Sequence, residues 1–441
     1  MKRLWFLVLI GALWSCKDDE PGPDLSSATL SIVMDSPPEN LVTYYAVVSD
    51  SSGNVLEWKE LELDKQTDLP YPPDPKLAVL TIIRRSEGNS KSTSVMTFTE
   101  VAAGTYTYSP DTYQVVLPDV NYTLNIEEMD TYHNMFAYVT PKVWSAFEDN
   151  NDGERVYTLG LYNNSPQSDM FIMGARNSAP REYRYISVPN IQGGESMTVT
   201  AEDFATFAPV PDHVLNYPAH SDLLGTFSVL YGYNAAKDGV AMDIMSWTPT
   251  DIPKLAYPEV ENIFASYETV VISSESSSVG YMTDIIDDAP VLNISTINAT
   301  VDNHKEITGK RISVDLSGDG DIFYGSASGQ SGVNSWQFNV FAPKSSRIRI
   351  NPPQFPQELS DKVPGLDELQ SAELGSISVD NYNMTYEQLY KFKLTKGYYG
   401  WPTYLVTKSF LVDGLGSGRM SFDAKSILKR YGKESLLNKL K

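Results

Sequence analysis

The chain has 441 residues, of which 56 are acidic and 34 basic, so its formal charge is −22. That balance repels nucleic acid and anionic lipid head groups, and excludes both as partners of the folded body. A 41% hydrophobic content supports real cores, and a single cysteine excludes internal disulfides, so two to four domains are expected without covalent staples.

The N-terminus reads first as a processing signal. Lys2 and Arg3 precede an apolar run from Leu4 to Trp14, which is closed by Ser15-Cys16. The run is 11 residues long, too short for a bilayer that needs roughly 20. Leu13-Trp14-Ser15-Cys16 resembles the lipobox of bacterial lipoproteins. The resemblance implies removal of residues 1–15 and acylation of Cys16, which would tie the chain to a lipid bilayer through several acyl chains. Lys17-Asp18-Asp19-Glu20 resembles the acidic export signal of Bacteroidetes surface lipoproteins, which implies an outer-membrane protein facing the cell exterior.

Residues 16–27 contain Pro21-Gly22-Pro23 and read as an acidic tether. From Ala28 onward, short apolar runs alternate with turn residues. Asp50-Ser51-Ser52-Gly53 separates two such runs and predicts a hairpin. Pro70-Tyr71-Pro72-Pro73-Asp74-Pro75 predicts a loop or an edge. Tyr122, Leu124 and Ile126 alternate with Thr123, Asn125 and Glu127, as a half-buried strand requires. The same period appears at Met197/Val199, Ile312/Val314/Leu316, Ile348/Ile350 and Phe392/Leu394. Ser421 to Lys441 is different: Ile427, Leu428, Tyr431, Leu436, Leu437 and Leu440 recur at helical spacing among six basic residues. The pattern predicts an all-β chain of tandem immunoglobulin-like or fibronectin-like β-sandwich domains with a short C-terminal helix. The expected units are 28–117, 118–218, 219–303 and 304–441.

Catalytic motifs are absent from the sequence. Gly325-Ser326-Ala327-Ser328-Gly329 has Ala where a nucleophile elbow needs Ser, and Gly414-Leu415-Gly416-Ser417-Gly418 lacks the remainder of a dinucleotide fingerprint. His133, His213, His220 and His304 show no zinc spacing. Asp315, Asp319 and Asp321 resemble the opening of a calcium loop, but Ser326 stands where the bidentate acid belongs. A hairpin over residues 315–324 is the plainer expectation, with calcium the alternative. Tyr398, Tyr399, Trp401 and Tyr404 gather four rings beside Gly397, Gly400 and Pro402, which is chemistry suited to stacking on a glycan.

Together these features predict a non-catalytic surface lipoprotein that binds a glycan or an envelope protein, or builds an extracellular assembly. The alternatives are a lipid-anchored hydrolase of polysaccharide, with carboxylates distant in sequence, and an accessory subunit of an outer-membrane nutrient transporter.

Overall fold

The structure is a computed structural model. It describes residues 28–38, 40–73, 78–88, 91–110, 120–127, 132–140, 145–149, 155–161, 168–176, 182–206, 213–214, 225–233, 240–248, 254–255, 265–274, 279–331, 333–396 and 402–411. The signal, the export residues and the expected C-terminal helix lie outside these.

The described chain is all-β with a few short helices. Its first segment supplies β1 (Thr29–Met34), β2 (Val42–Ser49), β3 (Val55–Glu60), β4 (Gln66–Pro70), β5 (Val79–Ser86), β6 (Lys91–Phe98) and β7 (Gly104–Tyr108). Next come β8 (Val120–Ile126), β9 (Tyr132–Thr140), β10 (Ser145–Asp149), β11 (Arg155–Leu161), β12 (Ser168–Arg176), β13 (Glu182–Ile191), β14 (Ser196–Val199) and β15 (Ala205–Thr206). They are followed by β16 (His213–Val214), β17 (Gly225–Tyr233), β18 (Val240–Thr248), β19 (Lys254–Leu255), β20 (Ser266–Ser274) and β21 (Val279–Asp287). The last segment holds β22 (Ala299–Ile307), β23 (Ile312–Gly318), β24 (Ile322–Ser331), β25 (Asn334–Pro343), β26 (Arg347–Ile350), β27 (Ser376–Asn381) and β28 (Tyr404–Leu411). It also holds the helices α1 (Gln357–Lys362), α2 (Leu366–Ser371) and α3 (Tyr386–Lys396).

One sheet of twelve strands dominates, in the order β18-β17-β20-β21-β28-β27-β24-β25-β6-β5-β2-β3. Residues 42–98, 225–287 and 322–411 all contribute to it, so the chain's first and last segments share one sheet. They meet where β6 pairs in parallel with β25, from Lys91 opposite Asn334 to Phe98 opposite Phe341. One face is covered by the β4-β1-β7 sheet and α3: Leu30, Ile32, Leu69 and Tyr108 pack with Leu389 and Leu394 over Ala46, Ile82, Phe98 and Phe341. The other face is covered by the β22-β23-β26 sheet, α1 and α2: Ile312, Val314 and Ile348 pack with Leu359 and Leu366 over Val47, Phe323 and Val340. Burial on both sides explains why β2 and β5 read as continuous apolar runs rather than as alternation.

Residues 120–206 build a separate pair of four-stranded sheets, β10-β11-β8-β14 and β15-β13-β12-β9. The alternating Tyr122, Leu124 and Ile126 close that core against Met170, Ile172 and Ile191. The expected hairpin at Asp50 forms as β2–β3, and the Asp50 carboxylate accepts the Ser52 and Asn54 backbone N–H groups at 2.8 and 3.0 Å.

Two local expectations are corrected. Residues 315–324 are not a hairpin: β23 pairs with β22 and β26, while β24 pairs with β25 and β27, so the Asp-Gly turn carries the chain between layers. Phe392 and Leu394 lie in helix α3, not in a strand. The helix is set by a capping box. The Thr385 hydroxyl accepts the Gln388 N–H at 3.2 Å, and the Gln388 side chain accepts the Thr385 N–H at 2.8 Å. Leu389, Tyr390, Lys393 and Leu394 form its buried face. Among the described residues no helix is long and apolar enough to cross a membrane.

Candidate functional site

Of the residues singled out in sequence, Cys16, Lys17, Asp18, Asp19, Glu20, Tyr398, Tyr399 and Trp401 lie outside the described residues. Tyr404 opens β28 opposite Ile285 and rests half-buried against the core beneath the β22-β23-β26 sheet. Asp315, Asp319 and Asp321 surround the layer-crossing turn, and cationic side chains hold two of the oxygens there. Arg349 donates to the Asp315 carboxylate at 2.5 Å and holds it below the usual carboxylate range. Lys344 donates its ammonium to the Gly318 carbonyl. The Asp321 N–H is spent on the Asp380 carbonyl at 3.1 Å. Among the described residues no three acidic, His or Cys side chains are grouped to hold a metal.

The sheet instead gathers carboxylates that sequence reading missed. Asp380 on β27 is fully buried and accepts the hydroxyls of Ser378 at 2.7 Å, Tyr382 at 2.8 Å and Thr407 at 2.5 Å. Three donors on one acid satisfy a charge that would otherwise be costly to bury. Glu268 on β20 and Asp284 on β21 share the same face, since Glu268 lies opposite Ile286 and Val270 opposite Asp284. That diagonal places their Cβ atoms about 7 Å apart. The Tyr233 hydroxyl donates to Glu268, and burial together with the two carboxylates pushes its pKa well above the usual tyrosine range. Glu268 and Asp284 are 3% and 5% exposed, so water reaches neither freely.

A different kind of site lies at one end of the large sheet. Thr29, the first residue of β1, is opposite Pro70, and Leu30 is opposite Gly104. Close by, the Val101 N–H reaches the Ala78 carbonyl at the start of β5. This is the proximal end. The distal end holds the β5–β6 and β24–β25 turns and the turn into β2, with Val42 opposite Ser86 and Lys91 opposite Asn334.

The two most exposed large aliphatic side chains among the described residues stand here: Leu41 at 66% and Val333 at 72%. Leu41 also adopts a left-handed φ of 66°, strained for a leucine, with its carbonyl accepting the Glu87 N–H at 2.8 Å. The frame beneath is tightly joined. Buried Arg85 donates to Glu87 at 2.6 Å, Thr93 at 3.1 Å and Asn334 at 3.2 Å, clamping three neighbouring strands. The Thr93 hydroxyl in turn donates to the Pro364 carbonyl at 2.8 Å, which seats α2 and its exposed Asp367 and Glu368 beside the same end. A sequence signal for part of this site existed: Val333 is a lone aliphatic among the turn residues Ser331, Gly332, Asn334 and Ser335, where polar side chains are the rule.

No family model matches the chain and no curated protein resembles it at a significant level.

Proposed function

We propose that this is a lipid-anchored outer-membrane protein facing the cell exterior, and that it holds an envelope protein at the distal end of its large sheet. The observation that carries the reading is the pair Leu41 and Val333, exposed on an Arg85-clamped frame away from the end where the described chain begins. Burial of both side chains by a partner would contribute roughly 3–5 kcal/mol before the costs of association. The anchor would be Cys16, thirteen residues before Thr29, a separation that spans at most about 45 Å.

The test is a photo-crosslinkable residue at Val333 in intact cells. A discrete crosslinked envelope protein, lost when Leu41 is changed to Asp, supports the reading. Crosslinks that survive Leu41→Asp, or none at all, would sink it. Mass spectrometry finding Cys16 unacylated would remove the anchor.

The hydrolase reading has one observation in its favour, the Glu268 and Asp284 pair on adjacent strands. Its spacing suits a glycosidase, yet its burial demands an opening step. Hydrolysis of a polysaccharide panel that disappears in Glu268→Gln and Asp284→Asn would favour it over docking.

A further inference from the structure

The β22-β23-β26 layer carries a charge that runs against the rest of the chain. Residues 299–318 and 344–350, which contain its three strands, hold six Lys or Arg and three Asp or Glu, a net +3 in a chain of −22. Alternation sorts the two faces of the layer. Ile312, Val314, Ile348 and Ile350 pack into the core, so Ser313, Asp315, Arg347 and Arg349 face outward. Register sets Asn303, Asp315 and Arg347 in one row, and Glu306, Ser313 and Arg349 in the next. β22 gains an extra residue at each of two bulges, at Asp302 and at Lys305. A bulge re-aims its side chain, and Lys305 acts with Arg347 and Arg349 on the Asp315 carboxylate.

The acids of this layer are engaged within it. Arg349 donates to Asp315 at 2.5 Å. Asp302 accepts the Thr300 and Ser317 hydroxyls, each at 2.9 Å, and Glu306 lies 3.9 Å from Arg311. Lys305, Lys310 and Arg347 are exposed, and among the described residues no acid pairs with them. We propose that this face binds a linear acidic polysaccharide, whose carboxylates pair with Arg347, Lys305 and Lys310. The planar fork of Arg347 suits a carboxylate held by two parallel hydrogen bonds, and exposed Asn303 in the same row offers an amide to sugar hydroxyls. From the turn at Arg311 to the row of Asp315 and Arg347 is about 14 Å along β23, longer than one sugar ring, so the track fits a chain and not a single sugar. Charge selects the occupant. Salt confines a fixed charge to about 8 Å under physiological conditions. A thin chain lying on this layer meets the local positive excess, whereas a bilayer or a folded acidic protein is broad enough to meet the −22 of the whole. The inference requires nothing of Leu41 or Val333.

Fluorescence polarisation of a labelled alginate oligosaccharide, a linear chain of uronates, tests this with the full-length protein in neutral detergent micelles. Alginate should bind, neutral dextran should not, and the affinity should fall as salt is raised. Lys305→Gln/Arg347→Gln should weaken alginate binding on the order of tenfold. Lys65→Gln/Lys391→Gln, which removes two exposed cations elsewhere, should leave it unaltered. No alginate binding at low salt, or dextran bound as tightly as alginate, would overturn the inference. So would full affinity in Lys305→Gln/Arg347→Gln, or an equal loss in both double variants. Polyglutamate bound as tightly as alginate would assign the face to an acidic protein and also overturn it.

Discussion

At the residue scale, the largest single commitment is Asp380. Its charge is buried among three hydroxyl donors, so the network is worth having only while every member is present. Asp380→Ala should cost about 3 kcal/mol, because it strands those hydroxyls in the core, and Asp380→Asn should cost less. Chemical denaturation midpoints at constant slope check both. Asp315 shows the opposite regime. Its carboxyl is exposed and held low first by the hydrogen bond from Arg349. A carboxyl depressed in the folded chain contributes above its unfolded-state pKa, and the contribution fades as pH falls through the folded value. At this exposure the effect on stability is small. Arg349→Gln should therefore raise the Asp315 pKa in an NMR titration while leaving the melting temperature nearly unchanged. Calcium would have to compete with Arg349 and Lys344 for the oxygens of this turn, so its addition should leave the melting temperature unmoved, as scanning calorimetry would show.

At the element scale, helix α3 shows how a short pattern misleads. Phe392 and Leu394 alternate with Lys391 and Lys393, which imitates a strand over four residues. The wider window decides otherwise: Leu389, Tyr390, Lys393 and Leu394 recur at helical spacing, and Thr385-Tyr386-Glu387-Gln388 spells a capping box. Thr385→Ala should cost about 1 kcal/mol by freeing the first-turn N–H groups, measured by denaturation against the same change at exposed Thr395. The Asp-Gly turn after β23 failed for a different reason. Turn chemistry states that the chain reverses, but not whether the next strand returns to the same sheet or crosses to another layer.

At the scale of the whole molecule, the parallel pairing of β6 with β25 binds residues 91–98 to residues 334–341. The first segment's β2, β5 and β6 bury one face under its own β4-β1-β7 sheet and α3, and the other under the β22-β23-β26 sheet, α1 and α2, which the far end of the chain supplies. Residues 28–117 expressed alone should not fold, since the face beneath the β22-β23-β26 sheet and the β6 edge would be bare. Circular dichroism and exchange of the isolated segment check this. In the full-length protein, peptides from β5 and β25 should lose protection together on denaturation.

The sequence by itself determined the strand-rich character, the hairpin at Asp50 and the buried rows at Leu124, Val314 and Ile348. These follow from nearest-neighbour geometry, namely the two-residue period of a strand and the backbone needs of a tight turn. Only the tertiary structure decided which strands share a sheet. It brought Asp380 to its three hydroxyls and Glu268 to Asp284, and it set Leu41 and Val333 at one end. Strand pairing joins residues hundreds of positions apart, and local periodicity carries no record of which edge a strand will meet. Strand periodicity and the Asp50 turn therefore held where a local pattern was long or specific enough; the four-residue alternation at Lys391–Leu394 and the Asp-Gly turn after β23 were not, and pairings between distant strands had to come from the fold.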